Sequence, residues 1–537
     1  MATKLNRNII SSFLSLLSSA ILFLSFPPFD IGCLAWAGLL PLFLAIRCRS
    51  LWKGFLFSGI CGAFFFPGLF NWILEVPYYR WYHHTLLDLY FGIYFGIFGF
   101  AFVFVSRRIS LTAALWSTPF LWVSLEYIRS NVSFLALPWG LLGHTQYRYP
   151  IIIQIAGLLG TYGISFLVVL VNAALTVIIY SIFTYHRNSV VLLKPRPFKK
   201  TEMAFILGSV LAVSFALVYG QWSISRPVKG RSLNVAMIQG NIEQSKKWDP
   251  AYADEIVQIY NDLTLHAALD KPALIIWPET ATPGLITSSP KIYRKVENLV
   301  KETATPLVFG SARHQKFQAD EIQGLRMINS AFLMVPGGDN IELQRYSKIR
   351  LFPFGEYLPF KSSIPWKWIG ASSLSDYIPG EKHTVFNLSP NRFGVTICWE
   401  NIFPDLVRQF VKRGAQFIVN ITNEARFRKS DAPYQLVGIS VFRAVENRVY
   451  VIRCANTGIS CIIDPCGRIV KRLQDENGHD LFVRGILHGM IIPMESKTFY
   501  TRNGDIFPIL AIAVSLVFIF LAWWKPLAKR GKACDVE

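Results

Sequence analysis

Long apolar runs constrain the fold of this chain more than any other feature of its sequence. They lie at about 9–26, 31–46, 54–74, 86–105, 111–128, 160–183 and 203–222, with an eighth at 506–524. A helix that crosses a bilayer needs about 20 predominantly apolar residues. The second run is shorter than that and could be a re-entrant segment. We therefore expect an α-helical membrane bundle of about eight spans, seven in residues 1–222 and one at 506–524.

The charged residues favour a membrane protein over a nucleic-acid-binding protein. Only 16% of the residues are charged and 52% are hydrophobic, whereas an ordinary soluble domain has about 25% charged residues. The formal net charge of +20 could by itself indicate a nucleic-acid partner. However, the basic residues flank the apolar runs and no nucleic-acid-binding motif accompanies them, so membrane topology explains them better. No nucleic-acid partner is predicted.

The positive charges fall on alternate loops when every apolar run is counted as a crossing. One side of the membrane then receives Lys4, Arg7, Arg47, Arg49, Lys53, Arg107, Arg108, Arg187, Lys194, Arg196, Lys199, Lys200, Lys525, Lys529, Arg530 and Lys532. The other side receives only Arg80, Arg129 and Arg148. Loops rich in lysine and arginine stay in the cytoplasm. Both termini, including a basic tail at 525–537, are therefore predicted to be cytoplasmic, and the block at 223–505 is predicted to lie on the opposite side.

The block at 223–505 has the pattern of a layered α/β domain. Its strand-like runs, several of them apolar throughout, are LNVAMIQ, ALIIWPE, PLVFGSA, NSAFLMVP, FGVTIC, AQFIVNIT and YVIRCANT. The amphipathic helical stretches between them are EIVQIYNDLTLHAAL, YRKVENLVKE, DLVRQFVKRG and YQLVGISVFRAVEN. A late hairpin is predicted at GISCIIDPCGRIVKRL. This alternation predicts helices that cover a largely buried sheet.

The cysteines indicate no metal or cofactor site. The chain has 8 cysteines, and none of them forms a CxxC pair or has the spacing of Cys/His metal ligands. We therefore predict no metal and no cofactor. Cys454, Cys461 and Cys466 are close enough in sequence for a disulfide, and the sequence leaves their pairing open.

Three polar residues near predicted strands could transfer an acyl group through a thiol. That chemistry needs a nucleophilic cysteine, a base, and a cation or N–H donor for the oxyanion. Cys398 ends a strand just before a predicted helix, where backbone N–H groups and the helix dipole favour a thiolate. Glu279, at the end of ALIIWPE, suits the base, and Lys348 supplies a cation. Taken singly, each is more often structural: a buried small hydrophobe for the cysteine, a solvated charge for the others.

The motifs around these residues resemble a known superfamily. IIWPET, SKIRLFPFGEYLPF and VTICWEN resemble the nitrilase superfamily, which has a Glu-Lys-Cys triad and an αββα sandwich. QGNIEQSKKWDP and RAVENRVYVIRCANTGIS, set between seven spans and one, extend the resemblance to the apolipoprotein N-acyltransferase family. The resemblance covers essentially the whole chain. It implies a membrane bundle joined to a nitrilase-like αββα domain.

The resemblance also implies roles for individual residues. Cys398 would be the nucleophile, Glu279 the general base and acid, and Lys348 the cation that stabilises the oxyanion. The family pattern adds Glu356 and Glu400 as supporting glutamates. It also adds Trp248, Trp399 and Asn423 as residues of the substrate site or its lid.

The activity implied by the resemblance is the last step of lipoprotein maturation. An acyl chain would pass from the sn-1 position of a phospholipid to the cysteine as a thioester. It would then pass to the α-amino group of the diacylglyceryl-cysteine that begins an apolipoprotein, in a ping-pong reaction. The partners would be the phospholipid donor, the apolipoprotein acceptor and the membrane. The location would be the bacterial inner membrane, with the catalytic domain on the periplasmic side.

The chain departs from the family pattern beside the nucleophile. After AQFIVNIT the family usually has Asn-Asp-Ala-Trp-Phe-Gly, whereas this chain has NEARFR, with Glu424, Arg426 and Arg428 replacing the aspartate, tryptophan and glycine. Leu436 stands where the family often has histidine, and Trp399 where it usually has tyrosine. Arg426 and Arg428 could bind phosphate headgroups, or they could form a solvated basic loop.

Three other functions remain open from the sequence. The protein could be a membrane-tethered nitrilase-type amidase or carbamoylase, a divergent paralogue with another acyl donor or acceptor, or a transporter or receptor with an inactive enzyme domain. Seven spans before the domain are more than anchoring requires, since one already gives effectively irreversible insertion. The presence of Glu279, Lys348 and Cys398 argues against an inactive domain.

Overall fold

The computed structural model describes residues 2–76, 79–182, 197–315, 326–337, 340–361, 363 and 377–525. The stretch 187–196 of the predicted basic loop and residues 526–537 of the predicted tail lie outside these ranges. The described residues form two compact units. The first contains the chain up to Leu74, Tyr79–Ser225 and the chain from Asp505 on, and the second is mainly Arg226–Gly504.

The first unit is a bundle of helices that coincide with the apolar runs. A helix satisfies its backbone hydrogen bonds internally, which is why it can lie in a bilayer. The helices are α1 (Ala2–Leu24), α2 (Ala35–Gly38), α3 (Leu40–Ile46), α4 (Leu51–Leu69), α5 (Trp81–Arg108), α6 (Leu111–Asn131), α7 (Pro150–Ile153), α8 (Ala156–Leu159), α9 (Thr161–Ile182), α10 (Lys200–Ser225) and α16 (Ile506–Trp524). Among the described helices, six are long and apolar enough to cross a membrane: α1, α4, α5, α9, α10 and α16.

The apolar run at 31–46 is not one helix but a chain of short ones, α2 and α3 preceded by a 3₁₀ turn at Gly32–Leu34. It runs antiparallel to α1, because the Ser18 hydroxyl donates to the carbonyl oxygen of Gly38 at 2.5 Å and the Ser11 hydroxyl donates to that of Ala45 at 2.8 Å. The segment thus traverses the bundle beside α1 instead of turning back part-way. This geometry favours a crossing over the re-entrant alternative.

The described basic loop residues gather at one end of the bundle. The Arg49 guanidinium donates to the Arg7 carbonyl oxygen at 2.7 Å, and Arg107 donates to the Arg49 carbonyl oxygen at 2.8 Å. Arg108 in turn donates to the Lys525 carbonyl oxygen at 2.9 Å. Arg7, near the start of α1, and Lys525, just after α16, are therefore both in contact with this group of arginines.

Two charged residues lie inside the bundle on α6. Glu126 accepts hydrogen bonds from the Trp122 indole at 2.9 Å and from the backbone N–H of Leu142 at 2.7 Å. Arg129 donates to the Trp139 carbonyl oxygen at 2.8 Å and lies over the rings of neighbouring phenylalanines. Both side chains are buried. They hold the irregular segment that follows α6, where backbone groups lack helical partners.

The second unit contains two six-stranded sheets among its described residues. The strands are β1 (Leu233–Gln239), β2 (Leu274–Ile276), β3 (Leu307–Gln315), β4 (Arg326–Gly337), β5 (Asn340–Ser347), β6 (Val385–Leu388), β7 (Asn391–Ile397), β8 (Phe417–Thr422), β9 (Tyr450–Ala455), β10 (Cys461–Ile463), β11 (Ile469–Arg472) and β12 (Gly485–Ile491). The helices are α11 (Ala253–Ala268), α12 (Pro290–Thr303), α13 (Pro404–Lys412), α14 (Ala432–Asn447) and α15 (Phe499–Asn503).

Each sheet has a parallel centre and antiparallel edges. The strand orders are β12-β1-β2-β3-β4-β5 and β11-β10-β9-β8-β7-β6. The neighbours β1–β2, β2–β3, β7–β8 and β8–β9 are parallel. Strands buried on both faces are apolar throughout, which explains why LIIW and FIVNIT lack an alternating pattern. The carboxyl ends of parallel strands are where α/β sheets form ligand sites.

The two sheets pack face to face with helices outside. The Cys454 thiol of β9 donates to the carbonyl oxygens of Ile238 on β1 and Ile276 on β2, at 3.5 and 3.3 Å. On the outer face of the first sheet, Tyr260 of α11 and Val296 of α12 share a buried core with Trp277. Helices α13 and α14 pack against β7 and β9. The unit is an αββα sandwich, which confirms the predicted fold class.

The cysteines of this unit are not paired. Cys454, Cys461 and Cys466 are all free thiols. The hairpin predicted around them is present, because β10 pairs antiparallel with β11. The short sequence spacing of the three cysteines therefore reflects the hairpin and not a disulfide.

Candidate active site

Glu279 lies just beyond the carboxyl end of β2, and its carboxylate is held by two asparagines. The Asn329 side-chain amide donates to Oε1 at 2.7 Å, and the Asn423 backbone N–H donates to Oε2 at 2.9 Å. Gly310 of β3 lets the backbone of Glu279 lie close to β3, because a Cβ at Gly310 would be 2.6 Å from the Glu279 Cα. The carboxylate is buried. Its orientation is therefore set by the surrounding protein and not by solvent.

Lys348 follows β5 and lies between two carboxylates. Its Nζ is 2.9 Å from Oε1 of Glu356 and 3.7 Å from Oε1 of Glu279. Burial alone would lower the pKa of this ammonium, but the two carboxylates outweigh burial and raise the pKa well above its usual range. Lys348 is therefore a permanent cation within the site. A buried, fixed cation of this kind can stabilise an oxyanion.

Glu356 holds the Lys348 ammonium through its Oε1 oxygen. It also accepts hydrogen bonds from the Phe352 backbone N–H at 2.7 Å and from the Asn329 amide at 3.2 Å. Asn329 thus joins both carboxylates. A carboxylate with several donors is locked in one orientation, so it holds the ammonium in one place.

Cys398 lies immediately after β7 in a left-handed backbone conformation, with φ of 56°. This conformation costs a residue other than glycine roughly 1–3 kcal/mol and is concentrated at functional sites. The Cys398 carbonyl oxygen accepts a hydrogen bond from the Asn420 amide at 3.1 Å, which helps to hold the turn. Part of the cysteine surface stays exposed.

The Cys398 sulfur rests as a thiol. Loss of water contact and the nearby Glu279 carboxylate raise its pKa to about 12, against the opposing effect of Lys348. The pKa of a free cysteine is about 8.5. A thiol of this kind needs a base to remove its proton during attack. Glu279 is a carboxylate that interacts electrostatically with this thiol.

Glu400 connects the two strand ends that carry Lys348 and Cys398. It accepts hydrogen bonds from the Ile349 backbone N–H at 2.6 Å and from the Ile397 backbone N–H at 2.8 Å. The Tyr346 hydroxyl also donates to it at 2.9 Å. Burial raises the pKa of Glu400 to about 7. This residue therefore positions the site and does not face a substrate.

The other three predicted site residues occupy different surroundings. Trp248 is 43% exposed on the turn before α11. Trp399 is buried, and its indole donates to the Arg350 carbonyl oxygen at 2.6 Å. Asn423 touches Glu279 through its backbone, and its side chain donates to Gln244 at 3.0 Å. The roles of Trp248 and Trp399 in substrate binding stay predictions.

The altered NEARFR loop is anchored by a buried ion pair. Glu424 pairs with Arg453 of β9, and both side chains are buried. Arg453 also donates to the Asn420 side-chain oxygen at 2.9 Å. Asn420 is the residue that holds the Cys398 carbonyl oxygen. The replacement of aspartate by Glu424 therefore extends a network that supports the nucleophile turn.

Sequence analysis missed three residues of the site: Asn329, Asn420 and Lys247. Asn329 and Asn420 each interrupt an apolar strand with one amide, in NSAFLMVP and FIVNIT. A lone buried amide needs partners, and that requirement is the signal that could have found them. Lys247 donates to the Glu279 carbonyl oxygen at 2.9 Å. Nothing in its sequence context distinguishes it from the adjacent Lys246.

The arrangement can carry out acyl transfer through a thiol. It brings a thiol, a carboxylate and a fixed ammonium together near strand ends of the two sheets, and these are the groups that such chemistry needs. Among the described residues, no group of three or more His, Cys, Asp or Glu side chains is placed to hold a metal ion.

Comparisons with known proteins divide the chain in the same way. The model of the apolipoprotein N-acyltransferase N-terminal domain matches residues 18–174, and the model of carbon-nitrogen hydrolase matches residues 234–490. The first match covers most of the bundle, and the second covers both sheets of the second unit. The solved structure of Saccharomyces cerevisiae Nit3, a member of branch 10 of the nitrilase superfamily, has a TM-score of 0.37 and 20% identity, covering 49% of this chain and 91% of that one.

Relatives from several bacteria match most of the chain. An apolipoprotein N-acyltransferase of Geobacter metallireducens is 36% identical over 520 residues, with 95% of each chain covered. One of Rickettsia prowazekii is 31% identical, covering 81% of this chain and 83% of its own. One of Chlorobaculum tepidum is 26% identical, and the match covers 95% of this chain and 96% of its own. On these matches the chain belongs to the apolipoprotein N-acyltransferase family, membrane acyltransferases with a carbon-nitrogen hydrolase domain.

Proposed function

We propose that this protein N-acylates lipoproteins through an acyl-enzyme on Cys398. The acyl donor is a phospholipid, and the acceptor is the α-amino group of the diacylglyceryl-cysteine at the start of an apolipoprotein. One observation carries this proposal. Lys348 lies between Glu279 and Glu356, and it also interacts electrostatically with Cys398. Family membership supports the lipoprotein acceptor.

In the first half-reaction, Cys398 takes the acyl chain. Glu279 accepts the thiol proton as the sulfur attacks the sn-1 ester carbonyl carbon, and a carbon–sulfur bond forms. Lys348 stabilises the oxyanion of the tetrahedral intermediate. The ester carbon–oxygen bond then breaks, and Glu279 returns its proton to the leaving alkoxide. The products are the thioester and a lysophospholipid.

In the second half-reaction, the acceptor amine takes the acyl chain from the enzyme. The amine nitrogen attacks the thioester carbonyl, a carbon–nitrogen bond forms, and the carbon–sulfur bond breaks. Glu279 removes the proton that the amine loses and passes it to the departing sulfur, which restores the thiol. Lys348 stabilises the second oxyanion as it did the first. Each half uses the same three groups, as a ping-pong reaction requires.

The supporting residues fit this cycle as positioning groups. Glu356 fixes the ammonium of Lys348, and Glu400 fixes the strand ends on which Lys348 and Cys398 lie. Trp248, on an exposed turn next to Lys247, is suited to contact a lipid at the mouth of the site. Asn423 links that turn to the Glu279 carboxylate.

We also propose an orientation in the bacterial inner membrane. The gathering of Arg49, Arg107 and Arg108 at one end of the bundle supports a cytoplasmic location for that end. Both termini would then be cytoplasmic. The segment between α10 and α16 would be periplasmic, where the outer leaflet supplies the phospholipid donor.

A divergent donor preference is a second candidate, favoured by the altered loop. Arg426 replaces a family tryptophan and interacts electrostatically with Lys247 and Tyr377, so its charge acts near the reacting groups. A cation there would favour donors with an anionic headgroup. To test this candidate, the assay below is repeated with donors whose headgroups differ in charge, and a higher rate with anionic headgroups is expected.

The proposal is tested with the full-length protein in proteoliposomes. The donor carries distinguishable acyl chains at sn-1 and sn-2, and the acceptor is a peptide with an S-diacylglyceryl-cysteine at its N-terminus. We expect the peptide to gain the sn-1 chain and a lysophospholipid with the sn-2 chain to accumulate. A peptide with an acetylated α-amino group is the control and should stay unchanged. Release of free fatty acid without modification of the peptide would instead support a hydrolase.

A further inference from the structure

Two adjacent lysines on the turn before α11 have opposite surroundings. The Lys246 ammonium is partly exposed and lies 3.7 Å from Glu255. The Lys247 side chain is 3% exposed, and its Nζ donates to the Glu279 carbonyl oxygen at 2.9 Å. A lysine is almost never fully buried unless it is paired. The mechanism above makes no use of Lys247, so its burial beside the general base needs a reason.

The charges around Lys247 are those of the reacting groups. Glu279, and Cys398 when it is ionised as a thiolate, attract its ammonium, whereas Arg426 opposes it. Burial is the strongest influence and lowers the pKa of Lys247 to about 7. The hydrogen-bond acceptor, a backbone carbonyl, is neutral. The charge of Lys247 is therefore balanced by the groups that react and not by a dedicated carboxylate.

The turn that carries Lys247 reaches Glu279 by a second path. Gln244 accepts a hydrogen bond from the Asn423 side chain at 3.0 Å, and the Asn423 backbone N–H donates to the Glu279 carboxylate at 2.9 Å. The Asn456 side chain donates to both the Ile242 carbonyl oxygen and Asn423, at 2.8 and 3.1 Å. The turn thus contacts the main chain of Glu279 through Lys247 and its carboxylate through Asn423.

We propose that Lys247 is a positioning residue of the reaction, which fixes the main chain at Glu279 and holds a second positive charge beside Glu279 and Cys398. This role rests on the proposed function for the identity of the reacting groups. Lys348 supplies the permanent charge of the site, and Lys247 supplies one that changes with pH. When Lys247 is protonated, its charge favours the thiolate form of Cys398. When it loses its proton, that help is lost.

The test measures the reactivity of Cys398 without any lipid substrate. The full-length protein is treated with iodoacetamide, whose carbon forms a bond to the Cys398 sulfur as iodide leaves. The rate at Cys398 is followed by mass spectrometry of its peptide between pH 6 and 8.5. The variants are Lys247→Met, which removes the charge, and Lys247→Arg, which keeps it at every pH in the range. Lys246→Met is the matched control on the exposed neighbour.

A distinctive pH pattern is expected. At pH 6 the wild-type rate should exceed the Lys247→Met rate by about tenfold, which corresponds to one pKa unit of the thiol. That ratio should fall toward one by pH 8.5 as Lys247 loses its proton. The ratio of Lys247→Arg to Lys247→Met should stay constant with pH, and Lys246→Met should follow the wild type. The same order of rates is expected for acylation by phospholipid.

Two results would overturn the proposal. One is a wild-type rate equal to that of Lys247→Met at pH 6. The other is a ratio of the wild-type alkylation rate to the Lys247→Arg rate that does not change with pH. This ratio can be measured even if Lys247→Met fails to fold. Either would assign Lys247 a packing role only. Because alkylation needs no lipid, an inactive wild type in the acyl-transfer assay would count against the proposed function and leave this test standing.

Discussion

Lys348 interacts with two carboxylates that the proposed reaction uses differently. In that proposal Glu279 exchanges a proton with the substrates, whereas Glu356 holds the ammonium through a 2.9 Å contact. The shorter distance is the one to Glu356, since the Glu279 distance is 3.7 Å. Without the Glu356 charge, Lys348 would be drawn toward Glu279 and would neutralise the base. In the proposed reaction, the competence of Glu279 as a base would thus depend on Glu356, which acts through Lys348.

The variant Glu356→Gln tests this division of roles. It keeps the size of the side chain and removes its charge, so we expect the rate of thioester formation to fall about ten- to a hundredfold, less than for loss of an oxyanion donor itself. The rate is measured by intact-protein mass spectrometry under single-turnover conditions. Glu342→Gln, on the exposed part of β5, is the control and should keep the wild-type rate. An unchanged rate in folded Glu356→Gln would show that the ammonium needs no fixing carboxylate.

Among individual residues, the sequence indicated Glu279, Lys348, Cys398, Glu356 and Glu400, but not Asn329, Asn420 or Lys247, which contact them or their backbone. Glu279, Lys348 and Cys398 were found because each belongs to a motif of the resembling family. Lys247, by contrast, lies in the run SKK, where only the fold decides which of two lysines turns inward. The hydrogen bond from Asn329 to Glu279 joins residues 50 positions apart, so no local pattern could reveal it.

Glycines allow two helices of the bundle to approach closely. A Cβ added to Gly99 of α5 would overlap the Gly54 carbonyl oxygen and the Ser58 hydroxyl of α4. Small residues at helix interfaces let backbones come together in membranes, where packing replaces the hydrophobic effect as the main attraction. Gly208 of α10 has open space around it. The two positions therefore differ in what an added methyl group would meet.

The pair Gly99→Ala and Gly208→Ala tests this packing. Gly99→Ala should force α4 and α5 apart and destabilise the bundle by about 1–3 kcal/mol, the usual cost of overpacking. Gly208→Ala should leave stability unchanged or raise it slightly, because alanine favours helix more than glycine does. Thermal unfolding in detergent measures both. Equal melting temperatures for the two variants would mean that α4 and α5 are not packed as described.

Elements with a strong apolar pattern were predictable, and edge elements were not. The seven strand-like runs all contain observed strands, from β1 to β9. The missed strands are β5, β6 and β12, which lie at the ends of the two sheets. Strand β5 is largely exposed, β6 has four residues, and β12 contains two glycines, so none has a clear buried pattern. Their positions are set by pairing with a neighbour, which the sequence of one strand does not encode.

Across the whole molecule, the distribution of charge predicts the direction of insertion. A single cysteine placed at Thr201, at the start of α10, should be shielded from a membrane-impermeant maleimide in intact spheroplasts. One placed at Ser288 should be labelled. Labelling is read at the peptide level because the exposed Cys33 would also react. Disruption of the membrane should make Thr201→Cys reactive. The opposite pattern would contradict both the orientation and the access of the site to outer-leaflet phospholipid.

The organisation of the chain as bundle, catalytic block and last helix was readable from composition and charge alone. The apolar runs and the basic loops occur several times along the chain. An error in the assignment of one run therefore has little effect on the predicted organisation. The enzyme fold needed the motifs as well, since an alternation of strands and helices fits many layered folds. What no pattern provided is how the short segment at 31–46 is arranged, because its course depends on hydrogen bonds to α1.

The central claim is that Cys398 carries the acyl chain as a thioester, and intact-protein mass spectrometry tests it most directly. The full-length protein is incubated with a defined phospholipid, beside Cys398→Ala. We expect wild type to gain the mass of one acyl chain, to lose it on treatment with hydroxylamine, and Cys398→Ala to show no adduct. A folded wild type without an adduct, or an equal adduct on Cys398→Ala, would contradict the account.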